Sequence, residues 1–357
     1  MTVSALAHGD KMVYYMQQMK EPDKDYGYPM DFRAYATRGI IWGQRKVFSR
    51  LPAWMTNHRP MTCSRDEQVA SDIVRDVIAT GRPCFIGRFG SVEIDATLRG
   101  WDISKPSPKI VKLFRLFTGS SGPFWWDNSI KAGLLRTAGV FPADEDTLMR
   151  FSKRMLEDSR QLDVLGSWNA REQQLSKVFF TGAKAVPLGI RTPFFCSRPW
   201  TSLLRGKRVL VVHPFDATIK SQYARREELF ANDDILPEFQ LITYKPVMSF
   251  LGLETPYRDW FEALDKMIAD IAKIDFDIAL LGCGAYGFPL AAFIKRDLGR
   301  QAVHIGGATQ LLFGIRGGRW ETNPKSRVLS LFNSAWVRPE EKERPPNFQQ
   351  HEGGAYW

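Results

Sequence analysis

Cysteine and histidine are scarce in this chain. Cys63, Cys84, Cys196 and Cys283 are scattered through 357 residues with no C-x-x-C spacing. That argues against a disulfide framework and against a zinc site, and it fits reduced thiols in a cytoplasmic setting. The five histidines include no H-x-x-x-H pair. A membrane-spanning run is lacking too. The longest uncharged stretch, 278–294, is short for a span and is broken by three glycines and a proline. The first twenty residues have no apolar core of the kind a signal peptide needs. There is no internal repeat or low-complexity tract, and Gly and Pro are not enriched enough to imply disorder.

What is present is positive charge. The net charge is +10 and the pI is near 9.4, which favours acidic partners: nucleotides, anionic lipid surfaces or nucleic acid. Part of this charge lies in a leader, residues 1–65. From Arg33 to Arg65 there are seven Lys or Arg and no Asp or Glu, with Phe32, Tyr35, Trp42, Phe48 and Trp54 close by or interleaved. Residues 33–60 therefore read as a segment lying on an anionic membrane or as a basic arm wrapped on the protein's own core. Nucleic acid is a poorer fit, because no nucleic-acid motif accompanies the charge.

The most informative stretch is 276–320. A short apolar run, 277–281, stops at glycine as a buried strand does. Gly282, Gly284 and Gly287 follow at G-x-G-x-x-G spacing, and Pro289 stands in the first turn of a helix. A second strand, 302–305, ends at Gly306 and Gly307, and a short helix starts at Thr309. In a parallel sheet both glycine turns fall at the carboxyl edge, where α/β proteins place ligands. Glycine lets a ligand approach the backbone, and a helix N-terminus favours phosphate. We therefore assign Gly282, Gly284, Tyr286, Gly287, Gly306, Gly307 and Gln310 to a nucleotide or phosphate site. The second strand ends in His304 with no acidic residue for a ribose hydroxyl, so this is not a standard NAD site.

Two further strand ends point the same way. The strand 83–89 runs into Gly90-Ser91 and a helix, with Arg88 and Glu93 flanking the turn. An arginine there can clamp a diphosphate, and a carboxylate can act as a base or hold a metal. Pairing of the two with each other, or capping of the helix, is the structural alternative. The strand 208–213 ends at His213, a proton carrier or phosphate donor. Asp216, Thr218 and Lys220 open the next helix, which should run to about Phe230, and an earlier helix is expected from Arg171 to about Phe180. Between the two strands lies Phe124-Trp125-Trp126-Asp127, which suits either core packing or stacking on a sugar or base. Alternation of strands and helices along the chain predicts an α/β fold: a Rossmann-like, mostly parallel sheet with helices on both faces. The domain would span 66–320, and a polar, proline-rich tail, 321–357, would pack back on it.

The stretch CFIGRFGSVEIDATL, 84–98, resembles the R-[FY]-G-D-G-E turn of bacterial glycosyltransferases with the D-type fold. GCGAYGFPLAAFIK (282–295), followed by AVHIGGATQLLFGIRGGRW (302–320), is similar to the C-terminal region of related polysaccharide-cluster proteins. The resemblance covers about residues 70–357. It implies a nucleotide-sugar donor, a glycan or lipid-linked acceptor, and work on a surface polysaccharide at the inner face of the cytoplasmic membrane. Glu93 keeps the family's glutamate position. Ser91 replaces its aspartate, which puts a divalent metal, Mn or Mg, in doubt. The readings that stay open are another group transferase, such as a methyltransferase using adenosylmethionine, and a non-catalytic glycan- or nucleotide-binding scaffold.

Overall fold

In the computed structural model the strands are runs of four or five residues that lie side by side. The structure describes residues 66–357 except 119–120, 170, 347 and 351–353, together with isolated positions before 66. The leader assigned to residues 1–65 lies almost wholly outside the described residues. Helix α1 (Glu67–Ala79) leads into β1 (Cys84–Gly87), then α2 (Ser91–Ser104) and α3 (Lys109–Phe117). After α4 (Glu145–Ser159) come β2 (Val164–Ser167) and β3 (Lys184–Pro187). The remainder alternates β4 (Arg208–Val212), α5 (Asp216–Tyr223), β5 (Gln240–Tyr244), α6 (Trp260–Ile271), β6 (Ile278–Leu281), α7 (Gly287–Arg296) and β7 (Gln301–His304).

The seven strands form one all-parallel sheet in the order β3-β2-β1-β7-β6-β4-β5. This is an α/β, Rossmann-like fold with helices on both faces. Successive strand residues point to opposite faces, and both faces are buried. Leu210, Val212, Ala279, Leu281 and Ala302 join the layer of α2, α4, α6 and α7. Val209, Val211, Ile278, Leu280 and Val303 join the layer of α1 and α5. The helices start where their caps dictate. Asp66, Asp144 and Asp259 each accept a hydrogen bond from a first-turn N–H, at 2.8 Å in all three cases.

Three elements differ from the sequence expectation. The helix starting at Asp216 stops at Tyr223 rather than running to 230, because the chain is diverted to bury Leu229 and Phe230. The Phe230 ring lies 5.6 Å from that of Trp336. The helix expected over 171–180 is only Glu172–Ser176. β3 has no counterpart in the sequence reading: it is a half-exposed edge strand ending in Pro187, the place where a sheet tolerates proline. After residue 320 the chain returns over the α1/α5 layer, where Trp336 and Trp357 are both buried.

The order of strands sets the site. From β4 the chain goes outward to β5, then returns to lay β6 on β4's other side. Ile219 of α5 and Leu290 of α7 accordingly fall in opposite layers. The carboxyl ends of β4 and β6 therefore bound a topological switch point, where an open α/β sheet forms a ligand crevice.

Candidate functional site

At that crevice four strand ends converge. Arg88 and Gly90 follow β1, His213 follows β4, Gly282 to Gly284 follow β6, and Gly306-Gly307 follow β7. With the 246–250 loop and the Tyr356-Trp357 segment they line a cavity of about 160 Å³. One water needs about 10–15 Å³ on that measure, so the space admits a substantial ligand.

Most of the glycines here make room for protein rather than for ligand. A Cβ on Gly282 would lie 2.6 Å from Cδ2 of His213 and 2.8 Å from Oγ1 of Thr309. A Cβ on Gly287 would collide with the His304 ring, one on Gly306 with the Arg88 guanidinium, and one on Gly307 with the Tyr356 ring. Gly284 alone is open: at φ +59° its nearest neighbour would be the Ala138 carbonyl oxygen, 3.7 Å away. The G-x-G-x-x-G spacing thus seats His213 and His304 against the turn and leaves one of its glycines, Gly284, with open space beside it.

Both histidines are buried and line the cavity. The His213 Nδ1 accepts the Phe215 N–H at 3.1 Å, so its proton sits on Nε2. The His304 Nδ1 is 3.2 Å from the Leu281 carbonyl oxygen, which can only accept, so here Nδ1 carries the proton and Nε2 is a free lone pair. Burial pushes His213 down to about 3. Burial, reinforced by the Arg88 charge, does the same to His304, also to about 3. His213 is therefore a neutral donor at ordinary pH.

Positive charge comes from arginine. Arg88 donates to the Phe89 carbonyl at 3.1 Å. Its Nε is buried without a hydrogen-bond partner, and no described carboxylate pairs with it. Arg191 lies near enough that, after burial, the Arg88 charge is the second cause holding it down at about 10; Arg319 adds to this. Arg319 donates to the Tyr356 hydroxyl at 2.8 Å. Glu93, in the first turn of α2, folds its carboxylate back over the N-cap Gly90. That is the helix-capping position, and it also lines the cavity.

Of the other residues chosen from sequence, three fall outside the cavity. Asp216, Thr218 and Lys220 do not line the cavity. The N-terminus of α5 is filled by Glu343 from the tail, which accepts from the Ala217 N–H at 2.8 Å and from the Thr218 N–H and hydroxyl. Lys220 is exposed and pairs with Asp216 at 3.5 Å. Tyr286 is buried and lines the cavity. Its ring stacks on Trp260 at 5.1 Å, and its hydroxyl meets Ser249 Oγ at 2.8 Å, holding the 246–250 loop. Gln310 lines the cavity and is fully buried. Its Nε2 donates to three backbone carbonyls, while its Oε1 has no partner. In the aromatic cluster Trp126 is core and Asp127 caps the following helix, accepting from the Ile130 N–H at 3.1 Å. None of the cluster reaches the cavity.

The residues do not fit a metal site. Among the described residues no three His, Cys, Asp or Glu gather at one place. Glu93 is a single carboxylate beside an exposed serine, Ser91, and of the two cavity histidines His213 offers an N–H and only His304 a lone pair. Cys283 is no nucleophile, since burial drives its thiol up and keeps it protonated. No protein-family model matches the chain, and no characterised protein or solved structure is detectably similar to it.

Sequence reasoning missed Arg191, Arg319, Tyr356 and the role of His304. His304 had the same signal as His213, a histidine at the carboxyl end of a buried strand. Arg191 comes from a short turn and Tyr356 from the tail, and Arg319 stands at the end of the 302–320 stretch, where no local motif singles it out.

Proposed function

We propose that this protein is a glycosyltransferase that takes a nucleotide-diphosphate sugar as donor, in the cytoplasmic assembly of a bacterial surface polysaccharide. The observation that carries this reading is Arg88. It is a cation with a buried, unpartnered Nε at the sheet's carboxyl edge, with Arg191 close by. Such a constellation is costly without an anion and favourable with one. The charge also favours a diphosphate over adenosylmethionine, whose sulfonium would add a positive charge beside two arginines.

The chemistry follows from the residues present. An acceptor hydroxyl attacks the anomeric carbon. The bond from that carbon to the phosphate oxygen breaks, and its electron pair leaves with the nucleoside diphosphate. Arg88, supported by Arg191, stabilises the departing charge. Glu93 takes the acceptor proton. His213 Nε2–H and His304 Nε2 present one donor and one acceptor, which orient hydroxyl or base groups. A thermal-shift screen of nucleotide sugars, with adenosylmethionine and NAD alongside, tests the reading. A nucleotide sugar should raise the melting temperature, and a response to adenosylmethionine or NAD alone would refute the assignment.

A further inference from the structure

Helix α3 has an unusual outer face. Among the described residues five large hydrophobic side chains are exposed, and three of them, Ile110, Phe114 and Phe117, lie on this nine-residue helix. They are 71%, 67% and 61% exposed. Their i, i+4, i+7 spacing puts them on one side of the helix. The opposite side is anchored to the protein by buried Leu116, and Lys112 Nζ donates to the Ile103 carbonyl at 2.8 Å. At 100° per residue Lys109 and Arg115 lie about 105–135° from the centre of the apolar stripe, one on each side of it, and both are exposed. The surrounding segment, 103–126, carries Lys105, Lys109, Lys112 and Arg115 and no Asp or Glu.

We propose that α3 docks this protein on an anionic membrane surface, with Ile110, Phe114 and Phe117 entering the headgroup boundary and Lys109 and Arg115 reaching its phosphates. An apolar stripe with long cationic side chains on either side of the helix, able to extend toward the interface, is how helices lie in a bilayer interface. Charge selects the occupant. A second copy seated on this face would set Lys109 and Arg115 against the same two cations, since Lys112 is turned to the protein and Lys105 pairs with Asp102 at 2.8 Å, whereas anionic lipid gains with each Lys or Arg. The surface is independent of the proposed chemistry: the 14-residue α2 separates it from Gly90 at the cleft, about 20 Å at the rise of an α-helix.

The test is co-sedimentation of the full chain with phosphatidylcholine vesicles that do or do not contain phosphatidylserine. Wild type should bind the anionic vesicles and be released as salt rises. The triple variant Ile110→Ser, Phe114→Ser, Phe117→Ser should lose at least about tenfold in partitioning. Lys109→Glu with Arg115→Glu should lose a similar factor. Melting temperatures should not change, since all five side chains are exposed. Equal binding by wild type and triple variant would assign any vesicle contact to the basic leader and overturn the proposal. So would equal binding to neutral vesicles, or a dimer in sedimentation velocity that the triple variant abolishes while no form binds lipid.

Discussion

His213 and His304 stand at the ends of β4 and β7 in opposite tautomers. The first accepts the Phe215 N–H on Nδ1 at 3.1 Å, and the second directs its Nδ1–H to the Leu281 carbonyl oxygen at 3.2 Å. The cavity therefore receives a donor from one ring and an acceptor from the other, although the residue type is the same. Neither ring is a charge switch, because burial holds both near 3.

Two measurements check this. Long-range ¹H–¹⁵N spectra should show one Nε2–H and one Nδ1–H imidazole, unchanged from pH 8 to 5. In the unfolded chain both titrate near 6.5. Between about 3 and 6.5 the unfolded state thus binds more protons, and stability is full above 6.5 and lost as pH falls. Replacing His304 by Gln should flatten that loss by about 1.4 kcal/mol per pH unit in the window. An unchanged slope would mean that His304 is already protonated in the fold.

The glycines should separate by function. Gly284→Ala meets open space but a positive φ. It should cost about 1–2 kcal/mol of stability and weaken the donor nucleotide in addition. Gly287→Ala must displace the His304 ring, at about 1–3 kcal/mol for overpacking. Ligand-induced thermal shifts, each against its own apo midpoint, distinguish the two. A full nucleotide shift in Gly284→Ala would show that no ligand approaches that backbone.

Glu93→Gln keeps the shape of the turn and removes its charge. The helix loses about 0.3–1 kcal/mol of N-terminal stabilisation. Turnover should fall by at least ~10²-fold, the lower end of general acid–base contributions. A folded variant with near-normal turnover would remove Glu93 from the proposed chemistry.

Glu343→Gln tests the tail. Its carboxylate is buried and satisfies the first-turn donors of α5. Losing that charge should cost about 1–3 kcal/mol, read from urea unfolding. Donor affinity should change little, because Thr218 does not line the cavity. A large affinity loss at intact stability would return the α5 N-terminus to the ligand site.

The fold was legible because its signals are local. Runs such as RVLVV and IALL are buried on both faces, and each ends in a turn that the sequence marks. The carboxyl-edge position of both glycine turns follows from parallel order alone. The site was only partly legible. Asp216 and Thr218 sit just beyond a strand end, as ligand residues do, yet Glu343 reaches the α5 N-terminus from 126 residues beyond Ala217. Arg191 and Arg319 become neighbours of Arg88 only through the fold, and Tyr356 arrives with the tail. The glycines were read as space for phosphate, and most are space for a ring or a guanidinium. Sequence spacing records that room is needed without recording what fills it.

The central claim is that Arg88 receives the diphosphate of a nucleotide sugar. Its most direct test is calorimetric titration of nucleotide sugars into wild type and Arg88→Gln, with the matching nucleoside diphosphate as competitor. The account predicts that one nucleotide sugar binds wild type, that its diphosphate competes, and that Arg88→Gln binds at least about tenfold more weakly, as loss of a hydrogen bond to a charged group requires. Equal affinity in the two proteins, or no binding by any nucleotide sugar to folded wild type, would contradict it.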